Sequence, residues 1–240
     1  MYAKKARIGL LIPSLNVVAE QDFFRLLPDG YQAISTRIRF EGGGKAGLAR
    51  MNEEVSSGTS LLVTAGVDAV GFICTSGSFI DGPEGEQKLI ESIRSELPET
   101  TPVITTSYAI VDALKHMDIS RIALVTPYGD DLNALEVDYF QSAGLDVKRF
   151  ASLYVGAAVE AGRQDDDAAY NLARQFDRDD LDAIVISCTN LPAIDAIDRL
   201  EKETGLPVIT SNQATLWQLL RALGWSGSLP GYGALLRDNL

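Results

Sequence analysis

The sequence predicts an α/β protein made of two pseudo-symmetric, doubly wound halves, each a parallel sheet flanked by helices, with the functional cleft between them. Three observations predict it. Apolar runs rich in β-branched residues alternate with longer helix-like stretches along the whole chain, which is the pattern of βα units around a parallel sheet. "ARIGLLIPS" at 6–14 matches "SRIALVTPY" at 120–128, an offset of 114. The two cysteines, Cys74 in "VDAVGFICTS" and Cys188 in "LDAIVISCTN", are separated by the same 114 residues, with Asp68 and Asp182 each six residues ahead. A third pair, "TPVITTSYA" at 101–109 and "LPVITSNQA" at 206–214, follows in the same order, so a duplicated unit accounts for all three.

Taken in chain order, the predicted strands are 6–12, 33–39, 68–74, 102–106, 121–126, 146–151, 182–188 and 207–210. Helical spacing covers 46–65, 84–96, 107–116, 131–143, 165–176, 192–203 and 213–223. Gly66, Gly144 and Gly205 each stand between a helical stretch and a strand, where a left-handed helix stop is expected. The expected division is 1–114 with 215–240 as the N-terminal half, its last helix crossing back, and 115–214 as the C-terminal half. Trp217 and Leu220 on the last strong helix read as core or subunit contact.

Composition narrows the function classes. A formal charge of −12 without a basic cluster argues against nucleic acid, whose affinity comes largely from grouped Lys and Arg. The apolar run in "MYAKKARIGLLIP" is only about six residues long, too short for a signal core or a membrane span. These features give the expectation of a soluble, cytoplasmic protein with its two cysteines kept as free thiols. The one histidine, His116, reads as a surface residue at a helix end, and no ligand spacing suggests a metal. "EGGGK" at 41–45 lacks the phosphate-loop and dinucleotide spacings and reads as a flexible loop, with a cover over the cleft as the alternative.

Ligands of parallel α/β sheets bind beyond the carboxyl ends of the strands. "IPSLN", "CTSGS", "TPYGDDLN" and "CTNL" all fall at such ends, so Cys74 and Cys188 are expected to approach one cleft from opposite sides. A cysteine at a helix N-terminus gains thiolate character from the helix dipole and free amides, and both positions are expected to sit at one.

At these residues the chain resembles the aspartate/glutamate racemase superfamily, in the branch of maleate cis-trans isomerases and arylmalonate decarboxylases. The paired strand-Cys-Thr motifs carry the likeness, with "PSLN", "CTSGS", "TPY", "SCTNL", "SNQATLW" and "PGYGALL". The resemblance implies that Cys74 is the nucleophilic or proton-abstracting thiolate and Cys188 the opposing thiol. It implies that Asn16 and Tyr128 hold a substrate carboxylate, and that Ser14, Thr75, Ser76, Thr189 and Asn190 complete the substrate-binding set. It further implies a homodimer that needs neither metal nor organic cofactor. The leading expectation is an isomerase acting on a small dicarboxylate, most like maleate to fumarate. The alternative is a racemase of an acidic or N-acylated amino acid, in which one thiol removes the α-proton and the other returns one to the opposite face. A non-catalytic carboxylate-binding module fits less well, because binding alone requires no pair of thiols. Decarboxylases of this branch keep only the second cysteine, so Cys74 counts against that chemistry. One departure stands out: the maleate isomerases offer a further carboxylate-binding Asn after the sixth strand, where "YVGAAVEAGR" has none.

Overall fold

A computed structural model describes residues 4–165 and 167–239. The first half contains β1 (Ala6–Pro13), α1 (Ala19–Leu26), β2 (Tyr31–Ile38), α2 (Gly44–Glu53), α3 (Val55–Val63), β3 (Ala69–Phe72), α4 (Thr75–Phe79), α5 (Gly82–Arg94), β4 (Val103–Thr105) and α6 (Thr106–His116). The second contains β5 (Arg121–Thr126), α7 (Asp130–Ser142), β6 (Asp146–Ser152), α8 (Ala158–Ala161), α9 (Ala168–Ala173), β7 (Ala183–Ile186), a 3-10 turn (Ile194–Ala196), α10 (Ile197–Thr204), β8 (Val208–Thr210), α11 (Ser211–Ala222) and α12 (Gly233–Asp238). The two four-stranded sheets have the orders β2-β1-β3-β4 and β6-β5-β7-β8, with every neighbouring pair parallel.

The 114-residue offset reappears as equivalent contacts. The Asp68 carboxylate accepts the Arg7 N–H at 2.7 Å, and the Asp182 carboxylate accepts the Arg121 N–H at 2.8 Å. In each half the aspartate N–H also donates back, to Arg7 O and Arg121 O respectively. Asp68 and Asp182 therefore close the N-terminal corner where the cysteine strand meets the first strand, satisfying donors that the ladder leaves open. Ser107 donates to Thr75 O at 3.0 Å, and Asn212 donates to Thr189 O at 3.1 Å, so the loop after each cysteine is tied to the helix following the last strand of its half.

All eight strands form within three residues of their predicted ends. The central strands β1, β3, β5 and β7 are buried almost throughout, because helices cover both faces of a parallel sheet. Gly205 has φ 72° and ends α10 in the left-handed region, while Gly66 and Gly144 take φ 63° and 86° at the other two predicted stops.

The helices depart from expectation in several places. The stretch 46–65 is two helices parted at Glu54: α3 lies close on the sheet, where a Cβ on Gly58 would come within 2.8 Å of Ile38, while α2 turns toward the cleft and buries Leu48 and Met51. Helix α1 fills a segment with no predicted helix, burying Ala19, Phe23 and Leu26 on one face. Helix α12 fills another in the C-terminal tail, and α8 a third after β6. The predicted 165–176 and 192–203 helices are shorter, Ala168–Ala173 and Ile197–Thr204.

Helix α11 packs along α6 of the first half, with Trp217 and Leu220 fully buried, so both are core. One apolar cluster runs through the molecule and joins Ile8 and Leu10 of β1 to Ile122 and Leu124 of β5. No helix among the described residues is long and apolar enough to cross a membrane.

Candidate active site

In the order β2-β1-β3-β4 the chain switches direction between β1 and β3, and in the second sheet between β5 and β7. Crevices at such switch points, beyond the strand ends, bind ligands. A cavity of about 750 Å³ occupies this place in both sheets at once. Its wall includes Asn16 after β1, Cys74, Thr75 and Ser76 after β3, Tyr128 after β5, and Cys188, Thr189 and Asn190 after β7. The cleft thus gathers eight of the nine residues singled out from the sequence. Ser14 is the exception: its side chain is exposed outside the cavity wall, and its Oγ accepts the Phe40 N–H at 3.0 Å.

Cys74 caps the N-terminus of α4. Its Sγ accepts the Gly77 N–H at 3.3 Å and lies 3.8 Å from Ser76 Oγ. Burial pushes this thiol up to about 11, against the smaller lowering effects of Gly77 and Ser76.

Cys188 is held differently, and its place at a helix N-terminus is a prediction to correct. Residues 189–191 turn before the short 3-10 segment Ile194–Ala196, so no α-helix dipole points at Cys188. The backbone at Cys188 has φ 119°, a strained conformation for a residue with a side chain. Its N–H donates to Ser211 Oγ at 2.9 Å, and Ser211 Oγ lies 2.9 Å from Thr75 Oγ1, which links the two cysteine loops through one hydroxyl. Burial pushes the Cys188 thiol up to about 12, opposed by hydrogen bonds from the Asn190 N–H and the Tyr128 hydroxyl. Burial therefore favours the neutral form of both thiols, where the sequence predicted thiolate character.

The remaining polar side chains divide into those committed to the scaffold and those with a donor to spare. The Asn16 carboxamide oxygen accepts the Val18 and Ala19 N–H groups at the start of α1, and its Nδ2 donates to Thr189 Oγ1 at 3.1 Å, leaving its second hydrogen without a partner among the described residues. Thr189 Oγ1 in turn donates to Ile73 O. Asn190 is a scaffold residue: its oxygen accepts the Val17 N–H at 2.9 Å and its nitrogen donates to Ala158 O at 3.1 Å. The Tyr128 ring stands edge-on to Phe79 at 6.3 Å, aiming its hydroxyl at Cys188.

Three further residues, not singled out from the sequence, support the site. Ser211 and Asn212 open α11, and Asn212 also donates to Asp22 at 2.7 Å. Their signal was the third repeat, which aligns "TTS" at 105–107 with "TSN" at 210–212. Glu136 on α7 is fully buried and accepts a hydrogen bond from Ser187, next to Cys188. Its second oxygen has no hydrogen-bond partner among the described residues. Burial raises its carboxyl to about 8 despite Ser187, so at neutral pH it places little negative charge behind Cys188.

The loop at 41–45 is more than a free loop, since Gly42, Gly43 and Gly44 line the cavity. His116 is exposed beside Trp217 and Arg221 and does not line the cavity. Among the described residues no group of three His, Cys, Asp or Glu is placed to hold a metal ion.

Comparison with known proteins places this geometry. The arylmalonate decarboxylase family model matches residues 8–236. A maleate isomerase of Nocardia farcinica is 31% identical, the match covering 97% of this chain and 96% of the relative. The structure of a maleate isomerase variant from Pseudomonas putida S16 with maleate superposes with a TM-score of 0.93 at 28% identity, covering 100% of this chain and 99% of that one. A cysteine-to-serine variant of the Nocardia farcinica enzyme, carrying a covalently bound succinylcysteine intermediate, superposes with a TM-score of 0.92 at 27% identity, covering both chains entirely. With the match running from β1 to α12, the chain belongs to the arylmalonate decarboxylase family, and its relatives there include the maleate isomerases.

Proposed function

We propose that the protein is a cofactor-independent isomerase that converts maleate to fumarate through a covalent bond to Cys74. The observation that carries this reading is the pair of cysteines on one cavity wall at equivalent strand ends, in a chain that superposes over its full length on an isomerase caught as a succinylcysteine.

Attack of Cys74 Sγ on one alkene carbon forms the S–C bond and moves the π electrons to the other carbon and its carboxylate. A succinyl adduct has gained one proton on that other carbon. The net step is therefore addition of one S–H across the double bond, and a neutral thiol supplies both parts. Rotation about the new single bond, loss of the proton and departure of Sγ then give the trans isomer, with no change in oxidation state. Cys188, beside Tyr128 and the Asn190 N–H, is the partner that relays the proton.

The spare Asn16 N–H, the Tyr128 hydroxyl and the backbone and hydroxyl groups of Thr75 and Ser76 hold the carboxylate that carries developing charge. Such donors act where charge grows and need no reorganisation. Asn190 contributes through its backbone, because its side chain is committed elsewhere. The division of the chain into 1–114 with 215–240 and 115–214 is retained, supported by the paired sheets and by α11 lying on α6. A cytoplasmic homodimer with no nucleic-acid partner completes the reading; the net charge of −12 supports the last part.

The test incubates the protein in D₂O with maleate and with a panel of acidic amino acids. Fumarate formation supports the isomerase; α-deuteration of an amino acid without fumarate overturns it in favour of a racemase.

A further inference from the structure

Two buried polar residues of α7, one turn apart on one face, reach the loops that carry Tyr128 and Cys188. Asn133 accepts the Thr126 hydroxyl at 2.5 Å and donates to Tyr128 O at 3.0 Å, which fixes the backbone from which the Tyr128 ring projects. Glu136 is 0% exposed, and its Oε1 accepts the hydroxyl of Ser187, the residue before Cys188. Its Oε2 is buried with no hydrogen-bond partner among the described residues. A buried carboxylate needs a cation or several donors to offset the loss of water. One hydroxyl falls short of that, so the surroundings favour the carboxylic acid.

The elements around α7 leave that proton in place. Helix α7 packs against α2, α4, α5 and β6. On α5 the buried Glu86 is taken up by the Tyr139 and Thr105 hydroxyls at 2.5 and 2.7 Å. The other charged side chains of α2, α5 and α7 itself are exposed, α4 carries none, and on β6 Lys148 and Arg149 pair with Asp146 and Asp177. The titratable groups that face Glu136 are Cys188 and Tyr128, and Cys74 acts on Tyr128 in turn. A negative charge on Glu136 works against negative charge on either of them, pushing the Cys188 thiol and the Tyr128 hydroxyl further up.

Resting on the isomerase reading, we propose that Glu136 is a positioning residue for the proton relay, holding Ser187 beside Cys188 and keeping its own proton so that Cys188 can carry charge in mid-reaction. As Cys74 Sγ bonds to one alkene carbon, Cys188 gives its S–H proton to the other carbon. The proton released by Cys74 then passes to Cys188. Between the two transfers the negative charge rests on Cys188 Sγ. Glu136 neither gives nor takes a proton, and nothing is oxidised or reduced. An ionised Glu136 sets a second negative charge behind the first and stops the relay.

The test follows fumarate formation from maleate by NMR between pH 6 and 9.5, with circular dichroism at each pH, for the wild-type protein, Glu136→Gln and Ser187→Ala. The glutamine keeps an acceptor for Ser187 and cannot ionise. With the Glu136 carboxyl at about 8, the wild-type kcat/KM should fall about tenfold from pH 7 to pH 9. Normalised to its own maximum, Glu136→Gln should change less than about twofold over that range. Ser187→Ala removes the bond that favours the ionised carboxyl, so its fall should move to higher pH by about half a unit or more. The same fall in wild type and Glu136→Gln, or an unshifted fall in Ser187→Ala, overturns the proposal and leaves the isomerase intact. A flat wild-type profile, or a fall that coincides with loss of the folded signal, overturns it as well. Should Glu136→Gln not fold, the Ser187→Ala profile decides. No fumarate from the wild-type protein at any pH overturns the isomerase reading itself, and this proposal with it.

Discussion

The Ser211 hydroxyl oxygen accepts the backbone N–H of Cys188 at 2.9 Å, and Cys188, although not a glycine, is held there at a φ of 119°. A strained backbone persists when its surroundings over-determine it, and here the same hydroxyl also meets Thr75. The two cysteine loops are thereby set relative to one another through a residue that touches neither thiol.

Replacing that hydroxyl, Ser211→Ala, leaves the Cys188 N–H and Thr75 Oγ1 without their common partner. The expected cost is about 1–3 kcal/mol in stability, the usual range for a buried group left unsatisfied, and a tenfold or greater fall in kcat as Cys188 loses its position. Urea unfolding and steady-state kinetics with maleate check both; unchanged values would mean the contact is incidental.

Glu136 makes stability depend on pH in a direction opposite to that of a salt-bridged carboxylate. Its carboxyl is raised from 4.5 to about 8 by burial, so the folded state keeps a proton that the unfolded chain releases. The favourable condition is fully present below about pH 4.5, declines as pH rises through the window to about 8, and is lost above it. The decline is of the order of 4 kcal/mol from this group alone. Glu136→Gln should flatten that slope, gaining stability relative to wild type at pH 8 more than at pH 5 in denaturant titrations. Parallel slopes for the two proteins would contradict the assignment.

The neutral thiols predict slow alkylation. With Cys74 raised to about 11 and Cys188 to about 12, iodoacetamide should modify the folded protein slowly at pH 7, and the rate should keep rising beyond about pH 10, where a free thiol has levelled off. Bound maleate should protect. Peptide mass spectrometry against time gives the rates, and a half-maximal rate at about pH 8.5 would show an ordinary exposed thiol.

Much of this site was legible in the sequence because duplication fixes geometry. Asp68 and Asp182, six residues ahead of their cysteines, close equivalent corners, and the Cys-Thr pairs fall at strand ends that a parallel sheet brings to one edge. The parts that were not legible depend on contacts distant in sequence. Asn190 reads as a donor beside Cys188, but Val17 and Ala158, which occupy its amide, lie 173 and 32 residues away. Ser14 sits next to the cleft in sequence, yet its hydroxyl is taken by Phe40 N–H. Glu136 stands in "NALEVDY" as an ordinary helix acid, and only the tertiary packing of α7, which brings it against Ser187, buries it. Helix α1 was hidden by brevity: Phe23 and Leu26 make a stripe too short to separate from a loop by period alone.

The central claim is that Cys74, and not Cys188, bonds to substrate, and intact-mass measurement of two variants with maleate tests it most directly. The account predicts that Cys188→Ser gains the mass of one maleate, located by peptide mapping on Cys74, with turnover strongly reduced. It predicts that Cys74→Ala shows neither adduct nor fumarate. An adduct mapped to Cys188, or fumarate formed by Cys74→Ala at the wild-type rate, would contradict it.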